Sequence, residues 1–151
     1  MQKRTPPSSK LEPVVCNCLA IRQAARHVTQ LYDRYLACEG LRATQYSILA
    51  RLSRLGPLSI NQLAGIMVMD RTTLGRAVRP LERNRLVTIG PGRDGRTRAI
   101  SLTPMGAQRL KAATARWREA QKQFERSYGI AEAASLRSAL ARVVSLDASN
   151  T

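Results

Sequence analysis

The chain has 151 residues, 44% of them hydrophobic and 4% aromatic, and its 25 Lys and Arg outnumber 10 Asp and Glu to give a net charge of +15. That length is one domain's worth and enough for a core, and no apolar run approaches the ~18 residues needed to span a bilayer. So few aromatic residues argue against a stacking platform for single-stranded nucleic acid.

The opening stretch MQKRTPPSSKLEP has basic residues but lacks the apolar run and A-x-A site of a secretory signal. With Pro6, Pro7, Ser8 and Ser9 it reads as a disordered tail over about residues 1–13, ahead of a single domain over about 14–151. Cys16, Cys18 and Cys38 are an odd number of cysteines with no secretion signal, so reduced thiols and a cytoplasmic location are expected. There is no C-x-x-C pair, and His27 is the only histidine, so neither a zinc site nor any other cofactor is expected.

The first long helix is expected from Val14 to Ala37. Cys18, Ile21, Ala25, Val28, Tyr32 and Tyr35 recur along it at coiled-coil-like intervals. Gly40 closes it, and Leu41 to Leu55 carries a second helix with Tyr46, Leu49, Ala50 and Ser53 on one face. PLSINQLAGIM follows, with Ser59 and Gln62 in capping-box spacing and Ile60, Leu63, Ala64 and Met67 on one face. After a break at Val68–Met69, Asp70 is a good N-cap for the next helix, whose narrow apolar seam is Leu74, Val78 and Leu81. Arg71, Thr72, Thr73, Arg76, Arg79 and Arg83 point elsewhere. Arginine bonds guanine bidentately, and threonine bonds bases or touches the thymine methyl, so this reads as a recognition helix.

LVTI (Leu86–Ile89) and TRAISL (Thr97–Leu102) are β-rich runs joined by GPGRDGR (Gly90–Arg96). Arg93, Arg96 and Arg98 cluster at this tip with Asp94 among them, which suits DNA phosphates or a narrow minor groove. Between Arg71 and Arg98 stand eight arginines against two acids, Glu82 and Asp94, the electrostatic footprint of a duplex binder. Thr103 and Pro104 then supply the N-cap and first position of a fifth helix, along which Leu110, Trp117 and Phe124 recur every seven residues. Gly129 breaks it, and a sixth runs from Ile130 to Leu146 with Leu136, Leu140, Val143 and Val144 apolar.

The expected fold is mainly α with a small β-hairpin wing: a winged helix-turn-helix over about 41–103, flanked by helices over about 14–37 and 104–146. A winged helix rarely needs three further helices for its own stability, and readers of this type gain specificity by pairing half-sites. The flanking helices therefore read as a dimerisation region.

The motifs L-x-x-N-Q-L-A, D-R-T-T-L-G-R-x-V-x-x-L-E-R-x-x-L-V, R-D-G-R and L-T-P-x-G, in this order, closely resemble the MarR family of bacterial transcription regulators. The resemblance runs from about Asn17 to the C-terminal helices, and Asp94-Gly95-Arg96 is its most specific element. It implies that Asp94 orients Arg96 toward the minor groove, and that the first, fifth and sixth helices intertwine in a dimer. Two departures stand out: Arg85 where the family often has Gly, and Arg42-Ala43 where it often has Thr-Pro.

With no G-x-S-x-G, P-loop or H-E-x-x-H, and with scattered acids, the chain is not expected to be an enzyme. Cys18 and Tyr32 resemble the reactive cysteine and a tyrosine of the family's organic-hydroperoxide-sensing branch, but Ala43 stands where a second activating tyrosine would align. Without such a partner a thiol stays near pKa ~8.5 and reacts slowly, so Cys18 is read first as a small buried hydrophobe. The resemblance also implies an effector pocket for small aromatic or phenolic acids, for which His27, Tyr32, Tyr46 and Arg51 are the candidate contacts. Trp117 reads as core or dimer packing. The resulting expectation is a homodimeric repressor that leaves a palindromic double-stranded operator on binding such a ligand. The alternatives are a thiol sensor using Cys18 and a non-specific architectural DNA protein.

Overall fold

The computed structural model describes residues 15–146, so the N-terminal stretch expected as a tail lies outside the described residues. In chain order the elements are α1 (Asn17–Leu36), a 3-10 turn (Ala37–Glu39), α2 (Ala43–Leu55), β1 (Leu58–Ser59), α3 (Ile60–Met67), α4 (Arg71–Arg83), β2 (Val87–Pro91), β3 (Arg98–Leu102), α5 (Pro104–Tyr128) and α6 (Ile130–Val144).

The core sits under the helix-turn-helix. Ile48, Leu49 and Leu52 of α2 meet Leu63 of α3, Leu74, Val78 and Leu81 of α4, and Leu86, Val87 and Ile100 of the hairpin. The expected seams of α3 and α4 are therefore the faces that pack. On α2 the expected face holds at Tyr46 and Leu49, which are buried, but it fails at its last member and is wider than expected. Ser53 is exposed, whereas Ile48 and Leu52 are buried, because α2 is covered by α4 and β3 as well as by α1 and α5. Such a helix buries more than one narrow stripe.

The hairpin is part of a three-stranded antiparallel sheet of order β1-β3-β2. β3 is its centre, with Ile100 opposite both Leu58 of β1 and Ile89 of β2. Sequence patterning does not reveal β1, since two residues between Pro57 and a helix cap show no alternation.

Two turns hold non-glycine residues in left-handed backbone. Val68, at φ +52, closes α3, with its own N–H donating to the Gly65 carbonyl and that of Met69 to Ala64. Arg85, at φ +59, leads into β2, which gives a physical reason for glycine being common there. Left-handed backbone costs a residue with a Cβ about 1–2 kcal/mol, and a β-branched one suffers most. Val68 is 70% exposed and buries little. Val68→Gly should therefore raise stability by about 0.5–1 kcal/mol, after allowing for the unfolded-state entropy of glycine. The urea midpoint would rise at constant m; an unchanged midpoint would mean that the turn is unstrained.

The flanking helices pack differently from the core. α1 buries only Leu36 and α6 only Ala133, and Ile21, Leu140, Val143 and Val144 remain exposed. α5 buries small residues, Gly106, Ala113 and Ala120, beside Leu110. The heptad of large residues predicted there is only partly covered, since Trp117 and Phe124 are half-buried. α2 starts on a residue that is a poor cap, Arg42. Asp33 of α1 compensates by accepting the Ala43 N–H at 2.7 Å and pairing with Arg42 at 3.6 Å.

Candidate nucleic-acid interface

Asp70 starts α4 as predicted. One carboxylate oxygen accepts the Thr73 N–H at 2.8 Å, and the other accepts the Thr73 hydroxyl at 2.6 Å. These bonds, the hydroxyl's foremost, hold the Asp70 carboxyl below the usual carboxylate range. With Leu74, Val78 and Leu81 buried, Arg71, Thr72, Thr73, Arg76, Arg79 and Arg83 are all exposed, and none of these arginines is in an ion pair among the described residues. Thr72, Arg76, Arg79 and Arg83 recur at i, i+4, i+7 and i+11, one face of the helix. Such unpaired guanidiniums are free to bond base edges or phosphates.

The wing tip is tightly built. Asp94 Oδ1 accepts from the backbone N–H of Arg96 and of Thr97, both at 3.0 Å, and from the Thr97 hydroxyl at 2.8 Å. The Thr97 bonds come first in holding the Asp94 carboxyl below its ordinary range. Gly95 takes φ +68, and the Gly92 N–H donates to the Thr97 carbonyl. All these Asp94 bonds go to the main chain or to Thr97, so Asp94 orders the backbone that carries Arg96 rather than gripping its guanidinium. Arg93 and Arg96 are exposed, while Arg98 leans back with Nη2 3.5 Å from the Ile89 carbonyl.

The four candidate effector residues do not converge in the protomer. Tyr46 is 9% exposed, and its ring stacks on Trp117 with centroids 5.9 Å apart. Its hydroxyl lies 3.3 Å from Thr114 Oγ1, which itself donates to the Leu110 carbonyl, so Tyr46 is the donor. Tyr46 and Arg51 line a cleft of about 340 Å3 with Ile66 and Met67. Tyr32 instead faces an apolar groove of about 550 Å3 between α1, α5 and α6, walled by Ile21, Val28, Phe124, Leu136 and Leu140. Its hydroxyl donates to Gln121, Gln121 donates to Glu125 at 3.0 Å, and Arg137 lies 3.5 Å from Glu125. Burial chiefly, and then Glu125, push the Tyr32 hydroxyl up. Sequence reading passed over this polar chain, although the four-residue spacing of Gln121 and Glu125 is legible. His27 is exposed and lines neither space.

Cys18 is a correction. It is exposed, as are Cys16 and Cys38, because the start of α1 is only sparsely covered within the protomer. Cys16 Sγ accepts the Leu19 N–H at 3.4 Å, capping α1.

Residues 41–89 match the model of the MarR family. A probable transcriptional regulator from Pseudomonas aeruginosa is 32% identical and superposes with a TM-score of 0.76, over 84% of this chain and 96% of its own. Transcriptional regulator MosR of M. tuberculosis, solved in complex with DNA, is 35% identical with a TM-score of 0.76, over 85% and 93%. YxaD of Bacillus subtilis, an uncharacterized HTH-type transcriptional regulator, is 32% identical over 87 residues, and this chain spans 57% of that curated relative's length.

Proposed function

The chain belongs to the MarR family of transcriptional regulators, and we propose that it works as a homodimeric repressor on a palindromic duplex operator. The observation that carries this reading is the α4 face of exposed threonines and unpaired arginines, beside a wing tip that presents Arg93 and Arg96. The DNA-bound state of its relative MosR supports it. The uncovered seams of α1 and α6 support pairing of two protomers, which would set two recognition helices one turn of DNA apart.

The test is the ratio of affinities for the chain's own upstream region and for a scrambled duplex, at fixed salt. A sequence-specific regulator should show about 10³-fold or more. A ratio near one would sink the reading and leave an architectural DNA protein.

Release by a small aromatic or phenolic acid is part of the proposal. The Tyr46–Arg51 cleft offers a cation for the carboxylate and a ring edge for its body. Thiol sensing is the second reading, favoured by the exposure of Cys18. Either signal must bind or stabilise the DNA-incompetent arrangement better than the competent one. Under the ligand reading, Cys18→Ser keeps operator binding and modest peroxide releases nothing. If instead peroxide dissociates the wild-type complex, dithiothreitol restores it and Cys18→Ser ignores both, the thiol is the sensor.

Arg96→Ala should weaken binding more on A/T-rich flanks than on G/C-rich ones, since a narrow minor groove has enhanced negative potential. Asp94→Ala should give a milder version of the same pattern by loosening the backbone under Arg96. Equal losses on both kinds of flank would remove the minor-groove assignment.

A further inference from the structure

The recognition helix holds the residue type that a helix interior tolerates least. Pro80 lies inside α4, three residues before its end. It has no N–H for the Arg76 carbonyl four residues earlier, and its ring crowds that carbonyl, which makes proline the costliest residue in a helix interior. The core does not require it. The buried seam is Leu74, Val78 and Leu81, and helical spacing puts Arg76 and Pro80 on the opposite side. Arg76 is exposed and Pro80 half-buried. Two clefts of about 480 Å3 each meet at this turn, one lined by Arg79 and Arg83, the other by Thr73 and Arg42, and both by Arg76 and Pro80. Beyond it the chain is anchored again. The Asn84 N–H donates to the Pro80 carbonyl at 3.0 Å and the Leu86 N–H to the Leu81 carbonyl at 2.9 Å, with Leu81 and Leu86 both buried.

A local rule broken on an outward face, with no gain to the core, marks a functional position. We propose that Pro80 is a positioning residue for DNA recognition, dividing α4 into a base-reading part and a backbone-following part. A proline bends a helix away from its own side, so on this proposal the bend would carry the last turn toward the core, in the sense in which surface helices curve. Thr72, Thr73 and Arg76 then enter the major groove, while Arg79 and Arg83 are set back at the height of the phosphates. The inference rests on the DNA-binding reading above.

Pro80→Ala supplies the missing N–H and should straighten the helix. The affinities of the full-length variant for the upstream duplex and for a scrambled duplex, together with its urea midpoint, test this. The midpoint is expected to hold or rise, while the specific-to-scrambled ratio falls about tenfold, the equivalent of one weakened base contact. Pro80→Ser restores the same N–H with a different side chain and should give the same fall. Arg83→Ala should lower both affinities by one factor and reduce the salt slope by about 1. A ratio within about twofold of wild type in Pro80→Ala, or a fall in only one of the two proline variants, would overturn the proposal. A wild-type protein that does not distinguish the two duplexes would remove the DNA-binding reading itself.

Discussion

Gly106→Ala should cost about 3 kcal/mol or more of stability, the upper end of what overpacking does. Gly106 is buried in the first turn of α5. A Cβ there would stand 2.0 Å from the Leu86 carbonyl oxygen and 2.8 Å from Leu102 Cδ1. That carbonyl cannot simply move aside, because it accepts the Thr103 N–H at 3.1 Å, and the Thr103 hydroxyl donates to the neighbouring Arg85 carbonyl at 2.7 Å. The added methyl group therefore forces α5 away from the start of β2 and breaks the joint between the wing and the long helix. Gly65→Ala is the control. Nothing lies within 4 Å of the Cβ it would gain, so it should be neutral or stabilise α3 by up to about 1 kcal/mol. Equal urea midpoints for Gly106→Ala and wild type would show that the crowding is relieved at no cost.

Arg76→Ala should reduce affinity for the operator by about 1–3 kcal/mol, roughly 5- to 150-fold, and relax sequence preference at the contacted base pair. Arg76 is exposed one turn into α4, on the face shared with Thr72, and the described structure gives it no acidic partner. In the proposed complex its guanidinium is therefore uncommitted and available to the groove. Its removal costs the folded protein little, so the loss should appear in binding and not in the thermal midpoint. If specific and non-specific affinities fall by the same factor, Arg76 contacts a phosphate and the base-reading assignment is wrong.

What could be read from the sequence was set by local chemistry. Asp70 before Thr73, Ser59 before Gln62 and Thr103 before Pro104 each fix a helix start within a few residues, and all three caps are present in the structure. The α4 seam was legible because only one side of that helix is covered. Where contacts come from several directions, local patterns fail. Ser53 shares a helical face with Tyr46 and Leu49, and those two are buried, yet Ser53 is exposed while the neighbours of α2 also cover Ile48 and Leu52. β1 exists only because β3 arrives to pair with it. The residues proposed to read DNA stand out in the sequence as arginines outside the apolar seam, and the structure leaves those of α4 exposed and without ion pairs among the described residues. The effector candidates were not legible in this way, because Tyr32 and Tyr46 on successive helices turn into different spaces. Proximity in the chain said nothing about that divergence.

The pairing of β1 with β3 reaches beyond the sheet. β1 leads directly into α3, and β3 is the returning strand of the wing, so the two-residue strand ties the helix-turn-helix to the wing. A wing strand hydrogen-bonded to the strand that opens α3 is tied to the start of the helix-turn-helix. In the dimer proposed above, this tie favours a response in which each helix-turn-helix and its wing shift together, so that a signal changes the distance and angle between the two protomers' DNA-binding lobes. The operator variable that such a signal would tune is the number of base pairs separating the half-sites, leaving the letters read within each half-site alone.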